Sequence, residues 1–211
     1  MLKNWTRKHS SLQLVSLEDR CVPSAAKLAI LPDAPAPIVK SVIFGDGSAQ
    51  RSMVRQMVVN FSEPVQLKGS AQEVFTLRSR KSDVALKAEL PDGPTQSVTI
   101  SFSGELTEAG SLKDGLYDLT ISAAMVSVRG QAMDGNNDGR PGGEYRITGS
   151  AANGFYRLYG DSNGDAAVDQ LDYLAFRNAL GRSSTVFDID GDGDVNQLDY
   201  LQFRSRIGAS V

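Results

Sequence analysis

The chain has 211 residues, of which 41% are hydrophobic and 22% charged, and its net charge at pH 7 is −3. This length allows one domain of ordinary size plus a small one, or two small domains. The near balance of charge argues against a nucleic-acid-binding protein, which usually carries a basic excess or stripe. A single cysteine, Cys21, excludes an internal disulfide, and no apolar run approaches the roughly 18 residues of a membrane helix.

Residues 1–37 are predicted to be an exposed leader and linker. Three prolines, Pro32, Pro35 and Pro37, close the segment, and closely spaced prolines are typical of an extended linker. The segment is basic but lacks the apolar stretch of a secretory signal peptide. The chain's one histidine, His9, lies here, so we expect no Ser-His-Asp triad of the usual kind.

Residues 38–130 carry the pattern of an antiparallel β-sandwich. Six stretches alternate apolar and polar residues and are rich in β-branched side chains: IVKSVIF, MVRQMVVNFS, EVFTLRS, DVALKAEL, SVTISFSG and GLYDLTIS. Turn signals separate them, among them SEPVQLKG between the second and the third. Short strands at this spacing, with no long helical pattern between them, predict an immunoglobulin-like sandwich and a mainly β fold.

Residues 131–152 are predicted to be a Gly- and Asp-rich connector. Its DGNNDG stretch places Asp134, Asn136 and Asp138 at alternate positions, with Glu144 ten residues after the first. This spacing makes the stretch a third candidate metal loop, although Pro141 would interrupt any helix after it. A Gly/Asn turn between domains is the alternative that the sequence leaves open.

Residues 153–211 are predicted to be a small separate domain, because they contain nearly the same sequence twice, 27 residues apart. Each copy is a 12-residue loop followed by a helical pattern, DQLDYLAFRNAL or NQLDYLQFRSRI. Oxygen-bearing side chains occupy loop positions 1, 3, 5, 9 and 12, which are Asp161, Asn163, Asp165, Asp169 and Asp172 in the first copy and Asp188, Asp190, Asp192, Asn196 and Asp199 in the second. Position 7, Ala167 or Asp194, would contribute its backbone carbonyl. Oxygen atoms at this spacing converge on one point, as in a calcium-binding loop. For either copy alone, a surface turn without metal is the alternative. Because the pattern occurs twice in the same register, we predict two calcium ions.

Two loop positions refine this prediction. Position 8 is apolar in both copies, Val168 and Val195, and is expected to form a short strand contact between the loops. Position 6 favours glycine but is Ala166 in the first loop and Gly193 in the second, so the first site is expected to be weaker by about 1 kcal/mol. Crowded carboxylates repel one another without metal, so we expect calcium binding and folding of this domain to be coupled.

The two copies resemble a type I dockerin. Position 12 is Asp where helix-loop-helix calcium sensors use Glu, and no comparable helix precedes either loop, so each copy is half of an ordinary EF-hand. The resemblance covers roughly residues 155–209. It implies a paired loop-helix domain that binds a cohesin domain on a scaffold or cell-surface protein.

The resemblance also implies a partner-binding surface. It includes loop positions 10 and 11, here Gln170 and Leu171, repeated as Gln197 and Leu198, where dockerins more often carry small hydroxyl residues. The helices add Tyr173, Phe176 and Arg177, matched by Tyr200, Phe203 and Arg204. One face of each helix must also pack on its sister helix, so a core role for these residues stays open.

Other segments resemble large exported surface proteins of the planctomycete type. SLEDRCVPSA, residues 16–25, is similar to a segment near the start of such proteins. GSAQRSMV and GSLKDGLYDL are similar to a β-domain that often precedes their dockerin-like end. The resemblance implies export and an extracellular or cell-surface location.

No catalytic constellation emerges from the sequence. Residues 38–150 contain no histidine, no cysteine and no phosphate-binding glycine loop. We therefore predict a non-catalytic calcium-binding protein whose dockerin-like module docks to a cohesin-like or other surface protein, with the sandwich as a spacer or adhesion domain. The alternative is a non-catalytic carbohydrate-binding component of extracellular polysaccharide catabolism; the sandwich has few aromatic residues for a sugar platform, Tyr117 among them, which favours the first hypothesis.

Overall fold

The computed structural model of the protein describes residues 35–80 and 82–211. Most of the predicted leader, with His9, Cys21 and the segment SLEDRCVPSA, lies outside the described residues. Residues 35–211 form one compact unit. No helix in the described ranges has both the length and the apolar character that crossing a bilayer requires.

Strands dominate the described part of the chain before residue 158. They are β1 (Val39–Phe44), β2 (Gln56–Leu67), β3 (Phe75–Ser79), β4 (Ala85–Lys87), β5 (Thr95–Ser103), β6 (Thr107–Glu108), β7 (Ser111–Leu112), β8 (Gly115–Ile121), β9 (Val126–Val128), β10 (Gln131–Ala132), β11 (Tyr145–Ile147) and β12 (Tyr156–Arg157).

The helices fall into two groups. A single turn, α1 (Ala71–Val74), and two short 3₁₀ segments (Ala123–Met125 and Ala151–Asn153) lie among the strands. The longer helices α2 (Gln170–Ala179) and α3 (Gln197–Arg204) directly follow the repeat loops, as the sequence predicts.

Two antiparallel sheets enclose one apolar core. The larger sheet runs β10-β9-β2-β5-β4, with β1 also paired to β2, and in the smaller sheet β3, β11 and β12 all pair with β8. Because successive side chains of a strand face opposite sides of a sheet, alternate residues are buried. Val98, Ile100 and Phe102 of β5 meet Leu77 and Leu119 of the smaller sheet in this core.

This architecture is mainly β and fits the predicted immunoglobulin-like sandwich. All six predicted strands are present, as β1, β2, β3, β4, β5 and β8. The turn predicted at SEPVQLKG is wrong, because β2 continues to Leu67. The pairing register of β2 shifts between Asn60 and Val65, and the strand then passes to β9. Pro64 lies in this irregular stretch, where its missing N–H interrupts no regular ladder.

The sandwich continues into the segments predicted as connector and C-terminal domain. β10 and β11 come from residues 131–152, and β12 pairs with β8 through Tyr156 and Leu116. A second apolar core joins this strand to α2 and α3 and includes Met53 from the sandwich. The sandwich and the helices therefore share a strand and a core, while the domain limits drawn from the sequence stay predictions.

Candidate metal centre

Each repeat loop ends inside the helix that follows it. The loops span residues 161–172 and 188–199, and their positions 9 and 12 form the capping boxes of α2 and α3. The Asp169 side chain accepts a hydrogen bond from the Leu171 amide at 2.7 Å, and Asp172 Oδ2 accepts one from the Asp169 amide at 3.0 Å. Asn196 and Asp199 repeat both bonds in α3. The residues predicted to bind metal therefore also start the helices.

The first half of each loop folds around the carboxylate at position 1. Asp161 accepts hydrogen bonds from the amides of Gly164 at 2.6 Å and Ala166 at 3.1 Å. Asp188 accepts bonds from positions 4 and 6 of its own loop, at 2.7 and 3.1 Å. In both loops the side chain at position 3 accepts from the amide at position 5, and position 5 from the amide at position 7. The same local structure is therefore built twice.

The aspartate at position 12 closes each loop. Asp172 Oδ1 accepts hydrogen bonds from the amide and the hydroxyl of Ser162, both at 2.8 Å, and Asp199 Oδ1 accepts one from the Ile189 amide at 2.8 Å. Positions 1 and 12 are buried in both loops. Among the described residues, no lysine or arginine forms an ion pair with these four aspartates. Within the described ranges, the negative charge of these four carboxylates is therefore not neutralised by a direct salt bridge.

The exposed carboxylates at positions 3 and 5 lie close to position 1. In the second loop, carboxylate oxygens of Asp188, Asp190 and Asp192 all lie within 4.8 Å of one another. In the first loop, Asn163 stands at position 3, and its amide group donates to Asp165 Oδ2 at 2.8 Å. The structure thus brings together the predicted residues at the start of each loop.

Two loop carboxyl groups have a pKa above the ordinary value, for reasons that include desolvation and the charges of neighbouring aspartates. Burial raises the pKa of Asp161. Hydrogen bonds from Tyr156 and two loop amides lower this pKa but do not outweigh the effect of burial. A hydrogen bond from the Asp192 amide lowers the pKa of Asp190, but desolvation and the charges of three neighbouring aspartates raise it above its ordinary value. In both loops a nearby cation would favour the ionised form.

Tyr156 is a site residue that sequence reasoning missed. Its buried hydroxyl donates a 2.7 Å hydrogen bond to Asp161 Oδ2. Burial raises the pKa of Tyr156, and the Asp161 carboxylate raises it further, so the hydroxyl keeps the proton that it donates. The equivalent position of the second copy is Ser183, so comparison of the two copies offers no signal for this contact.

The donor set fits a hard divalent cation. The loops offer carboxylate, amide and backbone oxygens, which calcium prefers, and contain none of the sulfur or imidazole ligands typical of zinc. At position 7 the Asp194 carboxylate accepts a weak hydrogen bond from the Ser183 hydroxyl at 3.4 Å. Metal contact through the backbone carbonyls of Ala167 and Asp194 stays a prediction.

The two loops are linked differently from the prediction. Val168 exchanges two backbone hydrogen bonds with residues 208 and 209, and Val195 exchanges two with residues 181 and 182, at 2.8–2.9 Å. Each loop therefore pairs with the chain that follows the other copy's helix. The predicted strand contact between Val168 and Val195 is wrong, because the end of each helix returns to the opposite loop and takes that position.

Two of the predicted partner-binding residues belong to the core. Phe176 and Phe203 are 1% and 0% exposed, and their rings stack with centroids 4.7 Å apart. Their assignment to the partner surface is wrong, because they occupy equivalent positions on α2 and α3 and fill the space between the helices. Tyr200 is half-buried and packs against the same core.

The other predicted partner-binding residues are exposed: Gln170, Leu171, Tyr173, Arg177, Gln197, Leu198 and Arg204. Leu171 and Leu198 stand at the same repeat position and are 62% and 60% exposed. Leu174 and Leu201, which were not among the predicted residues, are 46% and 48% exposed at the next turn of their helices. We call these four residues the leucine pairs.

The third candidate loop reproduces part of the repeat geometry. The buried Asp134 carboxylate accepts hydrogen bonds from the amides of Asp138 at 3.1 Å and Gly139 at 2.8 Å. Asn136 donates to Asp138 at 2.9 Å, as position 3 does to position 5 in the first loop. Glu144 pairs with Arg146, and the chain then enters β11 in place of a helix. A third metal site here stays a prediction.

The comparison with protein families identifies the C-terminal part of the chain. Residues 159–208 match the model of the dockerin type I domain. A search among curated proteins found no match, and a search among solved structures found none. The two loops and their helices therefore form a type I dockerin-like domain, as the repeat predicts.

Proposed function

We propose that this protein is a non-catalytic, calcium-dependent docking protein whose dockerin-like domain binds a cohesin-like or other surface protein. Dockerin domains are non-catalytic modules that bind calcium and dock to protein partners, so the match to residues 159–208 supports the proposal at the level of the family. The observation that carries it is the duplicated loop, in which buried carboxylates without a basic partner converge twice with the same hydrogen bonds.

Two calcium ions would be held by the oxygen-bearing residues of the two loops: Asp161, Asn163, Asp165, Ala167, Asp169 and Asp172, and Asp188, Asp190, Asp192, Asp194, Asn196 and Asp199. A bound ion would supply the positive charge that the buried aspartates lack. The aspartates at position 12 are also the third residues of α2 and α3, so ion binding and helix formation stabilise one another.

The leucine pairs support docking to a protein. Exposed apolar side chains that lie together are typical of an interaction surface, and arginine is enriched at such surfaces. Arg177 and Arg204 stand six residues after Leu171 and Leu198 in the two copies. Each helix therefore carries the same two exposed leucines and the same arginine.

The sandwich suits a spacer or adhesion role better than sugar binding. All aromatic side chains in residues 38–130 are buried: Phe44, Phe61, Phe75, Phe102 and Tyr117. A sugar platform needs exposed rings, and within the described part of the sandwich none of these residues offers one. Dockerin modules typically occur on extracellular or cell-surface proteins, which supports an exported location.

Binding of the chain to immobilised type I cohesin domains, in calcium and in chelator, tests the proposal. We expect capture in calcium and release on chelation. Asp161→Ala combined with Asp188→Ala removes position 1 of both loops and is expected to abolish capture.

A variant of the exposed leucines separates docking from calcium binding. Leu171→Asp with Leu198→Asp is expected to weaken capture while calcium uptake stays normal, because these leucines lie outside the loops' ligand positions. Capture that is equally strong in chelator, or that survives the double aspartate variant, would show that docking does not depend on these loops.

A further inference from the structure

We infer that contacts from the sandwich help to position the metal ligands of both loops. Arg55 is the positioning residue for the second loop, and Tyr156 is the positioning residue for the first. Residues 51–55, which we call the clamp segment, contact the backbone at or beside position 1 of each loop. The inference rests on the proposed calcium binding and deepens it, because it makes the affinity of each loop depend on groups outside the two loops.

The clamp segment binds the first loop through its backbone. The Arg51 amide donates to the carbonyl of Asp161 at 2.8 Å, and the Arg51 carbonyl accepts a bond from Leu158 at 3.0 Å. Ser52 Oγ accepts a bond from the Gly160 amide at 2.9 Å. The Asp161 backbone is therefore held by the clamp segment, while Tyr156 holds its carboxylate.

The clamp segment binds the second loop through one side chain. Arg55 donates from Nη2 to the carbonyl of Asp188 at 3.0 Å and from Nη1 to the carbonyl of Thr185 at 2.7 Å. Its Nε donates a weaker bond to the carbonyl of Ala109, between β6 and β7. One guanidinium thus joins position 1 of the second loop to the sandwich.

Both loops approach the sandwich with the glycine at position 4. A Cβ built on Gly164 would lie 2.1 Å from the carbonyl oxygen of Ala49, and one built on Gly191 would lie 2.9 Å from Cβ of Ala109. The same face of each copy is therefore packed on the sandwich, and a side chain at either glycine would separate the two surfaces.

The direction in which calcium affinity changes when Arg55 is removed distinguishes a positioning role from the effect of its charge alone. The Arg55 guanidinium carries a positive charge beside a loop proposed to bind a cation, so its charge alone would weaken calcium binding. Its hydrogen bonds hold the backbone that carries the Asp188 carboxylate, and groups that orient metal ligands commonly contribute tenfold or more to affinity. Removal of Arg55 strengthens calcium binding if charge dominates and weakens it if positioning dominates.

Calorimetric titration of the full chain with calcium tests the inference in single-loop variants. Asp161→Ala leaves the second loop intact, and Asp188→Ala leaves the first. In the Asp161→Ala chain, added Arg55→Ala is expected to weaken calcium binding about tenfold. In the Asp188→Ala chain, Tyr156→Phe is expected to weaken it several-fold, while Arg55→Ala changes it less than about twofold.

Arg78→Ala is the matched control, because Arg78 forms an exposed sandwich ion pair with Asp83. It is expected to leave both affinities unchanged. Melting temperatures in calcium and in chelator give a second readout: loss of positioning shrinks the calcium-induced rise, whereas a purely structural loss lowers both temperatures equally. Should a single-loop variant fail to fold, Arg55→Ala in the otherwise native chain is expected to weaken one of two sites.

Calcium uptake by the native chain distinguishes failure of the proposed function from failure of this inference alone. A native chain that takes up no calcium overturns the proposed function itself. A native chain that binds two ions, with Arg55→Ala leaving the second loop unchanged or strengthened, overturns only the inference.

Discussion

Ala166 holds a left-handed backbone conformation at position 6 of the first metal loop. It occupies position 6 of the first loop with φ of +69°, and its counterpart Gly193 has φ of +98°. The left-handed region costs an L-residue about 1–2 kcal/mol relative to glycine. The conformation predicted from the loop pattern is confirmed, and the weaker first site that follows from it stays a prediction.

Ala166→Gly is expected to strengthen calcium binding at the first loop about fivefold, because the loop no longer holds a strained alanine. Calorimetric titration in the Asp188→Ala chain isolates that loop and measures the effect. If the loop already holds this conformation without metal, the gain appears as a higher free energy of unfolding in chelator.

Gly193→Ala is the mirror experiment in the second loop. A Cβ at this position would have no atom within 4 Å, so only the backbone changes. We expect calcium binding at the second loop to weaken by a similar factor. Equal affinities before and after both substitutions would show that position 6 does not limit either site.

At the scale of elements, the two helices are held at their starts by the loops and at their centres by two phenylalanines. Phe176 and Phe203 stack on each other, and Phe187 meets both rings edge to face. The leucine pairs lie on the outer sides of the same helices. Each helix therefore packs one face into the core and leaves leucine side chains of another face exposed to solvent.

Phe203→Ala is expected to destabilise the protein by about 3–5 kcal/mol, because it leaves a cavity in the core between the helices. Leu201→Ala, two residues earlier on the exposed face, is expected to change stability by less than about 0.5 kcal/mol. Denaturant unfolding in calcium measures both. Loss of docking by Phe203→Ala at full stability would contradict a core role for Phe203.

At the scale of the whole molecule, a cluster of charged residues around the buried Arg157 ties the end of α3 to the sandwich. Asp114, between β7 and β8, accepts hydrogen bonds from Arg157 and from Arg206 beyond α3, both at 2.6 Å. Arg157 has no exposed surface, and both guanidinium groups lie 5.3 Å from the centre of the Tyr159 ring. One carboxylate thus holds three parts of the chain together.

The Asp114 cluster predicts loss of stability in acid. Burial raises the pKa of Asp114, but the charges and hydrogen bonds of Arg157 and Arg206 outweigh it and leave this pKa below its ordinary value. A carboxyl with a lowered pKa stabilises the fold above the unfolded pKa of about 3.9, and this contribution is lost as the pH falls through the folded pKa.

Asp114→Ala is expected to destabilise the protein by about 3–5 kcal/mol at neutral pH, because it leaves Arg157 buried without its main partner. The difference in free energy of unfolding between native and variant chains is expected to shrink below about pH 4. Asp83→Ala, which removes an exposed ion pair, is expected to cost about 1 kcal/mol or less. A native-to-Asp114→Ala difference that stays constant from neutral to acid pH would contradict this account.

Much of the candidate site could be predicted from residues alone. Oxygen ligands at fixed spacing, a capping box that shares two of them, and helices after each loop are local features, so the repeat shows them directly. Tyr156 and Arg55 could not be predicted in this way. Tyr156 lies five residues before Asp161, but the second copy has Ser183 at the equivalent position, so the repeat gives no signal for this contact; Arg55 lies 133 residues before Asp188 and reaches it only in the folded chain.

The sequence by itself determined the β-sandwich, the two loop-helix copies and the resemblance that the family match at residues 159–208 bears out. These depend on periodicity and spacing within short stretches of chain. Only the tertiary structure decided that Phe176 and Phe203 are core residues, that each loop pairs with the opposite helix end, and that both loops pack on the sandwich. The physical reason is that such contacts join residues far apart in sequence, so they are set by how the elements pack and leave no local pattern.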